Sequence, residues 1–180
     1  MNQTTPITFL PLQQEHLQLL HTWLNEPHVQ QWWGDNSHRI ISLENIRAKL
    51  SPRIQGQEKI HSFIAYLKNQ PFGYIQVYDA RAFPREGYHL QQLDTYLHTI
   101  TKLAAVDLYI GDSLFLGKGY GTHMLNTFLE QHVAPYYTAC IADPDIINTA
   151  SIKCFKKCGF IHIHTLHLKD EKVAIMLKNM

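Results

Sequence analysis

The stretch from Ala105 to Thr122 constrains the fold more than any other part of the chain. Ala105-Val106-Asp107-Leu108-Tyr109-Ile110 has the β-branched and aromatic character of a strand. After a short connector comes Leu116-Gly117-Lys118-Gly119-Tyr120-Gly121-Thr122, in which glycine recurs at alternate positions. An amphipathic stretch follows at once, carrying Met124, Leu125, Phe128 and Leu129. A chain that passes from a strand through bare backbone into a helix start presents N–H groups with no partner inside the helix. Those groups make an anion site, and glycine leaves no Cβ to hold a phosphate away from them.

Two familiar phosphate motifs fail here. A Walker loop needs four residues between its first Gly and its Gly-Lys pair, then Ser or Thr. Five residues separate Gly111 from Gly117, and Lys118 is followed by Gly119. A dinucleotide fingerprint needs two residues before its third Gly, whereas only Tyr120 stands between Gly119 and Gly121. A plain Gly-rich turn between strand and helix also fits the pattern alone.

Taken with its flanks, Leu114-x-x-Gly117-x-Gly119-x-Gly121 resembles the acetyl-CoA loop of the GNAT N-acetyltransferases. The segment from Asp143 to Phe160, with Asn148 at its helix head and Gly159-Phe160 at its end, resembles that family's late helix. Near the front, Trp23-Leu24-Asn25-Glu26-Pro27-His28-Val29-Gln30-Gln31-Trp32-Trp33-Gly34 is similar to the opening segment of aminoglycoside 6′-N-acetyltransferases. The three segments fall in that subfamily's order and span most of the chain. The resemblance implies one domain over residues 1–180 with a mixed α/β (α+β), GNAT-like fold. Its central twisted sheet would be mostly antiparallel, with about six to seven strands, helices on both faces and a splayed fourth and fifth strand.

Acetyl-CoA is the implied cosubstrate. Its pantetheine arm would lie between the splayed strands and pair with the backbone of Leu108, Tyr109 and Ile110 as an added strand would. The N–H groups of Leu116, Gly117, Lys118, Gly119, Tyr120, Gly121 and Thr122 would hold the diphosphate. Asn148 would hydrogen-bond the pantetheine. Lys118 reads either as a charge beside a phosphate or as solvated decoration. The family often has Gln or Arg where Leu114 stands, a change that backbone contacts survive.

The implied reaction is direct attack of an amine on the acetyl thioester. Asp107 matches the family's strand aspartate, ten residues before Gly117. A carboxylate in an apolar strand is costly unless used or paired, although a solvent-facing position would also accommodate it. An ordinary aspartate near ~3.9 and an amine near ~8 differ by about four pKa units, or roughly 5.5 kcal/mol. Holding the cationic amine is therefore its first role, and proton removal the second. Phe155 stands where the aminoglycoside subfamily has a tyrosine that protonates the departing thiolate. A thiolate with a pKa near ~8.5 leaves tolerably without that help. Cys140 has no base at a suggestive spacing and is set aside as a nucleophile.

An aminoglycoside acceptor asks for acidic and aromatic surroundings, for which Trp32, Trp33, Asp35, Tyr78, Asp79 and Asp143 are the candidates. Trp32 and Trp33 read equally well as core. The stretch around residues 80–101 is less favourable, since Arg81, Arg85 and Lys102 offset Glu86 and Asp94. The alternative acceptor is another small amine, such as a lysine-derived siderophore precursor or a polyamine. A non-catalytic acyl-CoA-binding protein is the alternative class.

Composition limits the field further. The 180 residues are 45% hydrophobic and 17% charged, with a formal charge of +1, as expected of one globular domain. No dense Lys/Arg run points to nucleic acid, and no apolar window reaches membrane length. Met1 to Pro6 lacks a basic start and an apolar run, so the cytoplasm is the expected location, with a monomer or homodimer as the assembly. Three cysteines make no disulfide framework, and Cys154 and Cys158 share one helix face as packing. Alternation would place His162 and His164 on one solvated strand face, with no Cys or carboxylate to complete a ligand set. No metal is expected.

Strands are predicted at Ile7–Leu10, His61–Leu67, Phe72–Tyr78, Leu103–Ile110, Tyr137–Ala142, Phe160–Thr165 and Lys172–Leu177. Helices are predicted around Leu17–Leu24, from Pro27 toward Trp33, after a Ser42 cap, around Leu90–Leu97, at Gly119–His132 and at Asn148–Lys157.

Overall fold

The computed structural model describes residues 6–33, 40–84, 90–169 and 171–180. Asp35, Arg85 and Glu86 lie outside the described residues. Seven strands form one sheet in the order β1-β2-β3-β4-β5-β7-β6, mostly antiparallel, with β4 and β5 parallel. They are β1 Ile7–Pro11, β2 Ile60–Leu67, β3 Gln70–Asp79, β4 Leu103–Ile110, β5 Ala139–Ala142, β6 Ile161–His167 and β7 Lys172–Asn179. The helices are α1 Leu17–Leu24, α2 Pro27–Gln30, α3 Leu43–Ile54, α4 Asp94–Leu97, α5 Tyr120–Phe128 and α6 Thr149–Lys157. The chain divides into two compact units, Met1–Gln76 with Leu108–Met124 and Val77–Asp107 with Leu125–Met180.

In the first unit β1 pairs antiparallel with β2, Ile7 opposite Leu67 and Pro11 opposite Phe63. Pro11 is tolerated because β1 is an edge strand, where a missing N–H breaks no ladder. Side chains of β2 alternate. Ile64 packs with Leu17, Leu20, Ile46 and Leu50 of α1 and α3, whereas Ala65 packs with Ile7, Phe72, Phe115 and Met124. Both faces of this part of the sheet are therefore covered. Ser42 caps α3 as predicted, its Oγ accepting the Asn45 N–H at 3.1 Å. The turn between β2 and β3 is tighter than the sequence suggests. Lys68 takes a left-handed φ of 57°, so β3 begins at Gln70 rather than Phe72.

In the second unit a 3₁₀ turn at Leu90–Leu93 runs into α4. Leu90, Leu93 and Leu97 bury against Leu103, Ala105, Ile141, Val173 and Ile175. Beyond α5 the helix widens into a π turn at Leu129–Val133. Tyr136 and Tyr137 give their N–H groups to Val133 O, both at 3.0 Å, which closes that turn. β5 accordingly starts at Ala139 and not at Tyr137. Gly159 ends α6 with φ 87°, and Lys178 Nζ donates to Cys158 O at the same end, 2.7 Å away. A bulge interrupts β6: His162 lies opposite Met176 and His164 opposite Ile175. The alternation expected to put both imidazoles on one face is broken there.

Candidate active site

β4 pairs with β5 through Leu103–Ala139, Ala104–Cys140 and Ala105–Ile141. Among the described residues the pairing stops there, yet β4 runs on to Ile110. The cause lies just past Ala142. Pro144 has no N–H to extend a ladder, its carbonyl accepts the Ala174 N–H at 2.8 Å, and Ile146 N–H reaches Lys172 O at 2.8 Å. The chain after β5 is thus bound to β7, and β4 is left without a parallel neighbour along its second half. One acceptor in that half is already taken. His28 Nε2 sits 3.0 Å from Ile110 O, which makes that ring nitrogen a donor and occupies the carbonyl.

The loop after β4 is anchored before it opens. Gly111 and Asp112 both donate to Phe72 O, at 2.8 and 3.2 Å. Asp112 Oδ1 accepts from Leu114 N–H at 2.9 Å, and its Oδ2 accepts from Gln70 Nε2 at 3.0 Å. The Leu116 amide donates to Ser113 O at 3.1 Å, so Leu116 does not contribute the free N–H expected of it. A free amide run begins one residue later. Gly117 and Gly119 adopt φ of 71° and 84°, and a Cβ at either would meet nothing within 4 Å. The glycines are needed for backbone conformation, and their outer side is open. Among the described residues the amides of Gly117, Lys118 and Gly119 have no backbone acceptor. Tyr120, Gly121 and Thr122 form the first turn of α5. Lys118 turns back on the loop, its Nζ donating to Leu114 O at 2.8 Å.

Asp107 is half-buried on β4 and lines a crevice of about 20 Å³ with Tyr78, Phe83, Ala142 and Asp143, room for about one water. Asp107, Tyr78 and Asp143 are therefore brought together. Asp79 is not in that crevice: its Oδ1 accepts from the N–H groups of Arg81 at 2.8 Å and Ala82 at 3.3 Å, capping the turn after β3. Cys140 is fully buried. Burial first and the Asp107 carboxylate second push its thiol far up, so it holds no thiolate for nucleophilic attack. Asn148 caps α6, its Oδ1 accepting from Ser151 N–H at 3.0 Å. Phe155 is buried edge-on against Phe160, the ring centres 5.0 Å apart.

Sequence reading missed a cavity of about 590 Å³ within the first unit. Tyr74 and Tyr109 stack at 5.3 Å, and Trp33 meets both edge-on at 5.8 and 4.8 Å. Trp33 therefore lines this cavity, whereas Trp32 is exposed and does not. Burial, reinforced by Tyr74, pushes the Tyr109 hydroxyl well above the usual phenol range. Asn45, Lys49 and Arg53 of α3 form one wall. Their four-residue spacing puts them on one helix face, and that stripe was the available signal. Of the described acceptor candidates, Trp33 lines this cavity, Tyr78 and Asp143 line the crevice, and Asp79 caps a turn.

Among the described residues no helix is long and apolar enough to cross a membrane, and no cluster of three or more His, Cys, Asp or Glu is placed to hold a metal ion. The chain is 28% identical over 178 residues to an aminoglycoside N(6′)-acetyltransferase type 1 from Klebsiella pneumoniae, covering 98% of this chain and 85% of that protein. It superposes on the crystal structure of aminoglycoside acetyltransferase AAC(6′)-Ib with coenzyme A at a TM-score of 0.80 and 26% identity, covering 97% and 95% of the two chains. The same enzyme with coenzyme A and kanamycin gives 0.79 and 25%, with the same coverage. The profile of the acetyltransferase (GNAT) domain matches residues 13–168. With the half-paired β4, the glycine loop and the match across nearly all its length, the chain belongs to the GNAT acetyltransferase family.

Proposed function

We propose that this chain is a single-domain acyltransferase that moves an acetyl group from acetyl-CoA to the 6′-amino group of an aminoglycoside. The observation that carries the reading is Asp107, on a strand that outruns its parallel partner and leads into a loop of open amides. Relatives matched across nearly the whole chain bear the aminoglycoside acetyltransferase name. The amides of Gly117, Lys118 and Gly119 and the first turn of α5 hold the diphosphate. Leu108 and Tyr109 offer backbone to the pantetheine arm, and Asn148, its Oδ1 engaged in the cap, donates from Nδ2.

Asp107 holds the acceptor amine in line for attack on the thioester carbonyl carbon. The N–C bond forms, the C–S bond breaks, and the amine proton leaves through Asp107 or the single water its crevice can hold. Phe155 cannot return a proton, so the thiolate departs unassisted. No metal, membrane or nucleic acid is required, and a monomer or homodimer in the cytoplasm suffices.

The test is acetylation of kanamycin or tobramycin, followed by thiol release from acetyl-CoA. Asp107→Asn should lose most turnover, about 10²-fold or more, with acetyl-CoA affinity near that of the unaltered protein. A parallel fall in both would make Asp107 structural. Silence on every 6′-amino aminoglycoside would remove that acceptor.

A further inference from the structure

The acceptor expected of an aminoglycoside enzyme is a polycation, yet a cavity of about 590 Å³ in the first unit is lined by cations. Among the described residues its lining includes Lys49 and Arg53 and no Asp or Glu. The Arg53 side chain is only 13% exposed and is held from two sides. Its Nε donates to Glu58 Oε2 at 3.1 Å, and its Nη1 donates to Gln76 Oε1 at 2.8 Å. Gln76 Oε1 also accepts from Tyr74 O–H at 2.6 Å. The guanidinium is thereby fixed in place, and Nη2 has no partner among the described residues. Glu58 reaches it because Gln57 and Glu58 both give their N–H groups to Pro52 O, at 2.8 and 3.2 Å, which folds the chain back beside α3. Lys49 stands one turn earlier on the same helix face and is exposed. Trp33, Tyr74 and Tyr109 supply flat apolar surface to the same cavity, and Leu20 and Ile46 also line it.

We propose that this cavity binds small carboxylates with a flat apolar body, the carboxylate on Arg53 and Lys49 and the body among the three aromatic rings. The volume of about 590 Å³ lies within the range of small-molecule sites. A planar guanidinium edge matches a planar carboxylate. The cationic wall is made of side chains on α3, not of the successive backbone amides that a phosphate favours. The proposal is independent of the acetyl acceptor, because binding is measured without acetyl-CoA.

The experiment is calorimetric titration of the full chain with 3-phenylpropanoate, 3-phenylpropanamide and 3-phenylpropylamine. The three share one body and differ in head-group charge. The carboxylate should bind at least about tenfold more tightly than the amide, with the amine weakest. Arg53→Gln should weaken the carboxylate about tenfold or more and Lys49→Gln about threefold, while neither changes amide binding. If Arg53→Gln does not fold, Lys49→Gln carries the test, since that side chain is exposed and joins no described hydrogen bond. Equal or tighter binding of the amine would overturn the proposal, and so would carboxylate affinity unmoved by Lys49→Gln. Tighter binding of phenyl phosphate than of the carboxylate would overturn the ligand class.

Discussion

Gly111 joins β4 to the glycine loop, and its replacement by alanine tests how firmly that junction is built. Its φ is not left-handed, so backbone strain does not enter. The difficulty is space: an added Cβ would run into Cγ, Cδ2 and Cε3 of Trp23. That indole is 4% exposed and is held edge-on by Tyr109, with ring centres 6.4 Å apart, so it has little room to yield. Overpacking of a closed core costs about 1–3 kcal/mol, and three ring carbons in conflict put this site at the upper end. Reduced freedom of the unfolded chain returns about 0.4–1 kcal/mol. The net loss should be about 2 kcal/mol, or about 4–8 °C in Tm for a chain of this size. Trp23→Leu alone should lose about 3 kcal/mol through the cavity it leaves. In the double variant the smaller side chain at position 23 frees the space that the added methyl group needs. The combined loss should therefore fall short of the sum by about 1–2 kcal/mol. Urea unfolding followed by circular dichroism reads all three. If Gly111→Ala matches the unaltered protein, or the two losses simply add, the contact does not shape this junction.

Three further outcomes are expected. His16 Nδ1 accepts from Gln13 N–H at 3.0 Å, and burial lowers its pKa below the usual 6.5 against a smaller opposing pull from Glu15; burial likewise lowers His132. A depressed folded-state value means full stability above about pH 6.5, lost as pH falls through the lower value. Tm should therefore drop between pH 7.5 and 5, and drop less in His16→Asn, which keeps an acceptor and does not titrate. Lys178→Met removes the donor to Cys158 O at the end of α6 and should cost about 1–2 kcal/mol in urea unfolding, with Lys178→Arg recovering part of it. Cys140→Ala should lose about 1 kcal/mol of stability while turnover stays within about twofold; a collapse of turnover with the fold intact would put the thiol into the chemistry.

Local signals made most of the fold legible. Ser42 before an apolar period, Asn148 before another and Gly159 after it mark helix ends that the backbone keeps. Leu103–Ile110 is a strand at the predicted bounds because its apolar run is buried along most of its length. What could not be read were competitions between partners. The sequence shows seven residues with amides in a row from Leu116, but only packing reveals that Leu116 gives its own to Ser113. Likewise Asp79 looks like an acidic lining residue until the Arg81 and Ala82 amides claim it. Trp33, Tyr74, Tyr109 and Arg53 come from four separate segments, so the cavity they line has no single local signature. The bulge in β6 shifts His164 by one register position, a displacement that periodicity alone does not encode.

The unmatched half of β4 has a consequence for handling the protein. Strand amides and carbonyls left without a ladder, here those short of the His28-bound Ile110 carbonyl, pair with an extended peptide, including the same segment of another copy. Saturating coenzyme A that occupied this gap would cover that sticky margin. Light scattering during concentration should then show less aggregate with the nucleotide than without it.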